Sequence, residues 1–137
     1  MNKIHDCIIN RNSTFIPVWF MRQAGRYLPE FRKIREKNQN FIELCLNPDL
    51  VTEITLQPTK RFDLDAAIIF SDILMIPHGL SQNVNFKKNF GPELGDLDLD
   101  KIINLTSEDF VNKLKPVYEG IRKVKKKMTG ETLIGFV

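Results

Sequence analysis

Apolar and polar residues alternate along the chain in a pattern that predicts helices and strands in turn. After a polar N-terminal arm, residues 16–21 form a short apolar run. Gly25 and Pro29 interrupt the pattern that follows, so residues 22–28 are predicted to form a loop. Residues 30–46 are rich in charged side chains, with apolar residues at helical spacings, which predicts one partly buried helix with a weakly defined middle.

The clearest helix start lies at Asn47, which suits the N-cap, because Pro48 fits the first helical position. This helix is predicted to run to about Arg61, with a bend or an early end at Pro58. Residues 66–70 then form a continuous apolar run. Such a run is typical of a strand that is buried on both faces of a parallel sheet.

The second half of the chain predicts a hairpin, a long helix and a further strand. Residues 83–86 alternate polar and apolar side chains before the turn-rich residues 89–92, which indicates a small inserted hairpin arm. Thr106 or Ser107 can cap a long helix, and residues 132–137 indicate a second buried strand. The helix has apolar residues at spacings of four and three, at Phe110, Leu114, Val117, Ile121, Val124 and Met128.

This order of elements is the one expected of a parallel α/β protein. Two buried strands cannot close a barrel, and a (β/α)8 TIM barrel typically takes about 250 residues. We therefore expect residues 1–137 to be the N-terminal part of a single TIM-barrel domain, comprising an N-terminal extension and about the first two barrel strands. A natural domain rarely stops inside a strand, and the remaining barrel strands are missing from these residues.

Composition narrows the class of protein further. The formal net charge of +3 is too small to imply a nucleic-acid partner, and the lysine run at residues 125–127 complements the end of the long helix. The N-terminus resembles no secretory signal, and no apolar run approaches a membrane span, so we expect a cytoplasmic protein. Cys7 and Cys45 lie in no metal-binding pattern and are predicted to be free thiols.

The candidate chemistry begins with three arginines. Arg22 and Arg26 flank three residues of the predicted loop, and Arg35 follows shortly after. A guanidinium presents a planar fork of donors that suits a carboxylate, so several of them on one loop indicate a polyanionic ligand. The alternative is that these arginines pair with acidic residues nearby.

Asp72 is the second candidate. It follows the predicted strand of residues 66–70 after a single serine, which places it at the carboxyl end of that strand. In a TIM barrel this end carries the active site. The alternative is an aspartate that only caps the turn after the strand.

Two strings resemble the substrate-binding segments of the uroporphyrinogen decarboxylase family. They are PVWFMRQAGRYLPE at residues 17–30 and AAIIFSDILMIPHGL at residues 66–80, and Gly135-Phe136 is similar to the opening of a further family signature. The resemblance implies a carboxy-lyase of tetrapyrrole (heme and chlorophyll) biosynthesis. It would remove the four acetate carboxyl groups of uroporphyrinogen III as CO2, giving coproporphyrinogen III, without cofactor or metal.

The same resemblance implies roles for individual residues. Asp72 would be catalytic, because it would accept hydrogen bonds from the pyrrole N–H groups and stabilise the cationic ring that forms. The arginines would hold the peripheral carboxylates. The implied substrate-binding residues are Arg22, Gln23, Ala24, Gly25, Arg26, Arg35 and Asp72. Full-length members are expected to be homodimers, and His5 and His78 have no role in this interpretation.

Two other interpretations remain open at this stage. One is a corrinoid-linked or zinc-dependent methyltransferase on the same barrel, although the arginine string suits a polycarboxylate better than a thiol. The other is an inactive tetrapyrrole-binding fragment or a truncated gene copy. In either case the chain alone is expected to be inactive and poorly soluble, because its strands and the core face of its long helix would expose apolar surface.

Overall fold

The computed structural model describes residues 3–11, 14–23, 27–87 and 91–135. Within these ranges the chain forms a mixed α/β structure with a parallel pair of strands and an antiparallel hairpin. The elements are, in order, α1 (Lys3–Ile9), α2 (Pro29–Lys37), α3 (Phe41–Cys45), α4 (Pro48–Phe62), β1 (Ala66–Ile68), α5 (Met75–Gly79), β2 (Val84–Lys87), β3 (Gly91–Leu94), α6 (Leu99–Ile103), α7 (Ser107–Lys127) and β4 (Thr132–Ile134).

The parallel pair confirms the predicted α/β organisation. β1 and β4 run parallel with Ala67 opposite Leu133. The described residues do not form a closed barrel. β4 is half-buried, so the prediction of a second fully buried strand was wrong for this chain. The reason is that, among the described residues, β1 is the only strand that pairs with β4.

α4 lies at the centre of the packing, between the parallel strands, α2, α3 and α7. Its start is as predicted, because the Asn47 side chain accepts hydrogen bonds from the N–H groups of Asp49 and Leu50, each at 3.1 Å. The predicted early end at Pro58 was wrong, since the helix continues to Phe62. Burial of α4 along most of its length compensates for the backbone hydrogen bond that a proline removes.

α7 forms as predicted and covers α4 with its apolar face. Thr106 and Asp109 make a reciprocal capping box at its start. Gly120 permits close contact, because a Cβ atom there would lie 2.9 Å from Cγ1 of Val51 on α4. The core face of α7 is therefore not the exposed apolar surface that the sequence led us to expect. Exposed apolar side chains instead cluster just before Arg22, at Ile16, Val18, Trp19, Phe20 and Met21.

Several shorter elements differ from the prediction. The single helix expected over residues 30–46 is two helices, α2 and α3, and the Asn40 side chain caps the second by accepting from Ile42 N and Glu43 N. Helices α1, α5 and α6 were not predicted, because five to seven residues are too few to establish a helical period. The hairpin of β2 and β3 is confirmed, although part of its predicted turn lies outside the described residues. Within the described segments, no helix has the length and apolarity needed to cross a membrane.

Asp65 fastens the N-terminal region to the start of β1. Its carboxylate accepts hydrogen bonds from Lys3 Nζ at 2.6 Å and from Val18 N at 2.8 Å, and its own N–H donates to Val18 O at 2.9 Å. The hydrogen bond from Lys3, followed by the one from Val18 N–H, lowers the pKa of the Asp65 carboxyl. The ionised form of Asp65 is therefore the one that the fold stabilises.

This pairing predicts a pH-dependent stability. Because the folded pKa lies below the unfolded value of about 3.9, the stabilisation is complete above about pH 5 and is lost as pH falls through the folded pKa. Asp65→Asn should lower the free energy of unfolding by about 1–2 kcal/mol at pH 7 and by clearly less at pH 3. Urea unfolding at both pH values tests this, with the exposed Asp96→Asn as control. An equal loss at the two pH values would contradict it.

Candidate active site

Asp72 follows the carboxyl end of β1 by four residues, where the chain turns towards α5. The strand ends at Ile68, two residues earlier than predicted. The Asp72 side chain is half-buried. Oδ1 accepts a hydrogen bond from Leu74 N at 2.9 Å, and the Asp72 carbonyl accepts one from Met75 N at 3.0 Å. The turn-capping interpretation of Asp72 is thus observed. It uses one of the two carboxylate oxygens, so capping fixes the orientation of the carboxylate without excluding a role in binding.

The backbone just before Asp72 is held by buried contacts. Phe70 N donates to Thr55 Oγ1 at 2.9 Å, and that hydroxyl donates to Val51 O at 2.7 Å. The Phe70 ring packs edge-on against Phe31 at a centroid distance of 5.8 Å and against Phe41 at 5.9 Å. Asp72 therefore follows, two residues later, a segment fixed by both its backbone and its side chain.

The predicted loop of residues 22–28, the arginine loop, contacts β1 through Gln23. Gln23 is only 3% exposed, and its Nε2 donates to Ala66 O at 2.8 Å while its Oε1 accepts from Ile68 N at 2.9 Å. Arg22, directly before it, is exposed. The structure therefore places a solvent-facing guanidinium next to an amide that is fastened to the strand leading to Asp72.

Tyr27 closes the same loop. Its hydroxyl donates to Gln23 O at 2.8 Å, and it also lies 3.2 Å from Arg22 O. Three of the predicted binding residues, Ala24, Gly25 and Arg26, lie outside the described residues. Their roles stay predictions, but the residues on each side of them are fastened together.

Arg35 is half-buried near the end of α2. Its Nη1 donates to Asn38 O and, at 2.7 Å, to Gln39 O, while the guanidinium carbon lies 5.4 Å from the centroid of the Phe41 ring. These contacts shape the α2–α3 connection. The two bonds account for two of the five N–H donors of a guanidinium, which leaves donor capacity for a carboxylate.

The alternative interpretation was that the candidate arginines pair with nearby acidic residues. The pairing observed for Glu30 involves a different arginine. Arg61 on α4 donates to Glu30 Oε1 at 2.8 Å and to Oε2 at 3.1 Å. Glu30, one of the acidic residues that could pair with these arginines, is therefore bound by α4 instead.

The charges of two predicted site residues, Asp72 and Arg35, both act on the thiol of Cys45. This thiol is buried. Burial, and then the negative charge of Asp72, raise the pKa of Cys45 to about 12, while Arg35 opposes this increase. The thiol is consequently protonated at neutral pH. Both cysteines are free, as predicted.

A groove of about 880 Å³ lies between α3, the segment leading into β2, and α7. Its walls include His78 and Lys113 but none of the predicted site residues that the structure describes. Burial, followed by the Lys113 charge, lowers the pKa of His78. His78 thus lines this groove, and the interpretation that it has no role in the site stays a prediction.

Sequence reasoning missed two residues that organise the candidate site, Tyr27 and Thr55. Tyr27 is part of the recognised loop string, but nothing in its residue type indicated a bond across the loop. Thr55 contacts the backbone 15 residues further on. Threonines in helices commonly bond their own backbone, so this contact carries no sequence signal.

The fold is that of an α/β protein with a parallel pair of strands. Asp72 follows one of these strands, and the loop that carries Arg22 is bonded to the same strand through Gln23. A family model described as "Uroporphyrinogen decarboxylase (URO-D)" matches residues 3–137. The chain belongs to the uroporphyrinogen decarboxylase family.

Relatives from two bacterial genera support this membership. A uroporphyrinogen decarboxylase of Rickettsia felis is 52% identical over 129 residues, which is 93% of this chain and 37% of the relative. The uroporphyrinogen decarboxylases of Brucella ovis and Brucella canis are each 50% identical over 121 residues, covering 88% of this chain and 36% of the relative. The chain spans little more than a third of the length of these relatives.

Proposed function

We propose that this chain is the N-terminal part of a uroporphyrinogen decarboxylase, which removes the four acetate carboxyl groups of uroporphyrinogen III to give coproporphyrinogen III. In this proposal β1 and β4 are the first two strands of a (β/α)8 barrel. The observation that carries it is the Asp72 carboxylate, held by Leu74 N–H at the carboxyl end of the buried strand. Family membership over residues 3–137 supports it.

Asp72 has the position and charge that this chemistry requires. When CO2 leaves an acetate group on a pyrrole, the electron pair of the broken bond needs an acceptor, and a ring protonated beforehand supplies one. A fixed carboxylate beneath the macrocycle accepts hydrogen bonds from the pyrrole N–H groups and stabilises the cationic ring. Because the turn already orients Asp72, little reorganisation accompanies the reaction.

The arginines supply the complementary charge at the edge of the substrate. Arg22 is exposed beside the anchored Gln23, and Arg35 is half-buried within electrostatic reach of the same thiol as Asp72. Together with Arg26 they would bind the peripheral carboxylates and present one acetate at a time. We include in the proposal a cytoplasmic, homodimeric full-length protein, which rests on the family resemblance.

A chimera tests the proposed function. Residues 1–137 of this chain are joined to the remaining part of the Rickettsia felis relative, and the product is incubated with uroporphyrinogen III. Coproporphyrin is then measured after oxidation. We expect turnover by the chimera and none by this chain alone or by the added part alone. A soluble, folded chimera that binds uroporphyrin but releases no CO2 would contradict the proposal.

A further inference from the structure

The side chain of Gln23 occupies an edge of β1. Nε2 bonds Ala66 O and Oε1 bonds Ile68 N, so one amide reaches the two residues that flank Ala67. A residue of a neighbouring parallel strand makes this same pair of bonds. β4 pairs with the opposite edge, where Ile69 N donates to Ile134 O. Among the described residues, Gln23 thus makes the contacts of a strand residue on the edge of β1 opposite β4.

The same edge stays occupied as it approaches Asp72. Thr55 Oγ1 accepts from Phe70 N at 2.9 Å, two residues beyond the contact with Ile68. The backbone N–H groups of Ile68 and Phe70 on this side are therefore both satisfied by side chains. These two contacts come from different parts of the chain, the arginine loop and α4.

Gln23 also connects the two sides of the arginine loop through Tyr27. Its carbonyl accepts from the Tyr27 hydroxyl, so the residues before and after positions 24–26 are tied together. Its amide makes both of its hydrogen bonds to β1 and is 3% exposed. An amide so engaged has little capacity to contact a ligand directly, whereas its neighbour Arg22 is exposed.

We propose that Gln23 is a positioning residue, whose amide fastens the arginine loop to the strand that carries Asp72 and so sets the spacing between the carboxylate-binding guanidinium groups and the catalytic carboxylate. The family resemblance implies a place for Gln23 in the substrate-binding loop, and this proposal gives its side chain a positioning role there. It rests on the proposed function, because the loop is positioned for a polycarboxylate. Arg22 acts on the ligand, and Gln23 acts through Arg22 and the residues that follow it.

The substitution Gln23→Glu tests this proposal with a reversible change of the same shape. A protonated carboxyl group can donate to Ala66 O and accept from Ile68 N, as the amide does. An ionised carboxylate cannot donate and places its charge against the Ala66 carbonyl. Burial raises the pKa of such a carboxyl, so the protonated form returns at mildly acidic pH.

Two measurements are made at pH 8 and pH 5.5 on the chimera of residues 1–137 with the rest of the Rickettsia felis relative, each as a ratio to the chimera that keeps Gln23 at the same pH. One is amide hydrogen exchange at Ile68 and Phe70, and the other is the Kd for uroporphyrin III by fluorescence. At pH 8 we expect the variant to exchange Ile68 at least about tenfold faster and to bind uroporphyrin at least about fivefold more weakly. At pH 5.5 the Ile68 exchange rate and the uroporphyrin Kd of the variant should both lie within about twofold of the values measured with Gln23.

Gln82→Glu is the matched control, because Gln82 Nε2 also donates to a backbone carbonyl, that of Gly95, at the hairpin. It should change neither the Ile68 exchange nor the uroporphyrin Kd. Phe70, held by Thr55, is the internal reference and should stay protected in Gln23→Glu. Loss of protection at Phe70 at both pH values would show that Gln23 only maintains the fold, and would overturn the proposal.

The remaining outcomes are also decisive. Weaker binding with unchanged Ile68 exchange would mean that Gln23 contacts the ligand itself. Faster exchange with unchanged binding would mean that the bonds from Gln23 to β1 do not position the binding groups. Either result overturns the proposal. If the chimera that keeps Gln23 binds no uroporphyrin, the proposed function fails and the positioning role fails with it. The exchange data would still decide separately whether Gln23 holds the edge of β1.

Discussion

Replacement of Asp72 by asparagine in the chimera is expected to lower the rate of coproporphyrin formation by at least about 100-fold. The asparagine side chain has the same shape and can still accept the hydrogen bond from Leu74 N–H with its carbonyl oxygen. The turn is therefore retained, while the negative charge facing the macrocycle is lost. Because the charge acts mainly on the cationic intermediate, the loss should fall on kcat more than on KM.

The comparison that isolates this effect uses a second aspartate. Asp96 is exposed between the hairpin and α6, and Asp96→Asn removes the same charge at a distance from the strand end. It should leave turnover within about twofold of the unsubstituted chimera, since exposed substitutions rarely have large effects. Uroporphyrin binding by the Asp72 variant should weaken by less than about tenfold. Undiminished turnover in Asp72→Asn would remove Asp72 from the mechanism.

The elements that the sequence predicted well are those governed by local chemistry. Asn47 and Thr106 begin helices α4 and α7 because their side chains bond backbone N–H groups two or three residues away. The apolar run before Asp72 is long and bounded, so the position of the carboxylate at a strand end followed from it. Where residue type and neighbours within one turn decide the structure, the chain could be predicted.

The features that escaped prediction depend on partners far along the chain. Gln23 bonds residues 43 and 45 positions later, and nothing in the loop string distinguishes a buried amide from a solvent-facing one. The break between α2 and α3 arises because Asn40 caps a new helix and Arg35 binds the carbonyls of the connection. These contacts form only once the tertiary packing has placed the groups together. Periodicity alone therefore gave one helix where there are two.

The aromatic cluster beneath Asp72 provides the largest expected loss of stability. Phe70 is 8% exposed and packs edge-on against the rings of Phe31 and Phe41. Phe70→Ala removes these contacts and leaves a cavity that the rigid surroundings of β1 and α4 cannot fully close. We expect the free energy of unfolding to fall by about 3–5 kcal/mol. Such a loss is comparable to the whole stability of a small domain, which is about 5–15 kcal/mol.

Urea unfolding followed by circular dichroism measures this loss, and Phe62→Ala provides the control. Phe62 is 46% exposed at the end of α4, so its truncation should lower the free energy of unfolding by less than about 1 kcal/mol. Phe70→Leu keeps most of the apolar volume, so its loss in the free energy of unfolding should lie between those of Phe70→Ala and Phe62→Ala. Since Phe70 lies two residues before Asp72, hydrogen exchange at Leu74, whose N–H binds the carboxylate, should rise in the same order. Equal effects of Phe70→Ala and Phe62→Ala would mean that the cluster is not what holds the strand end in place.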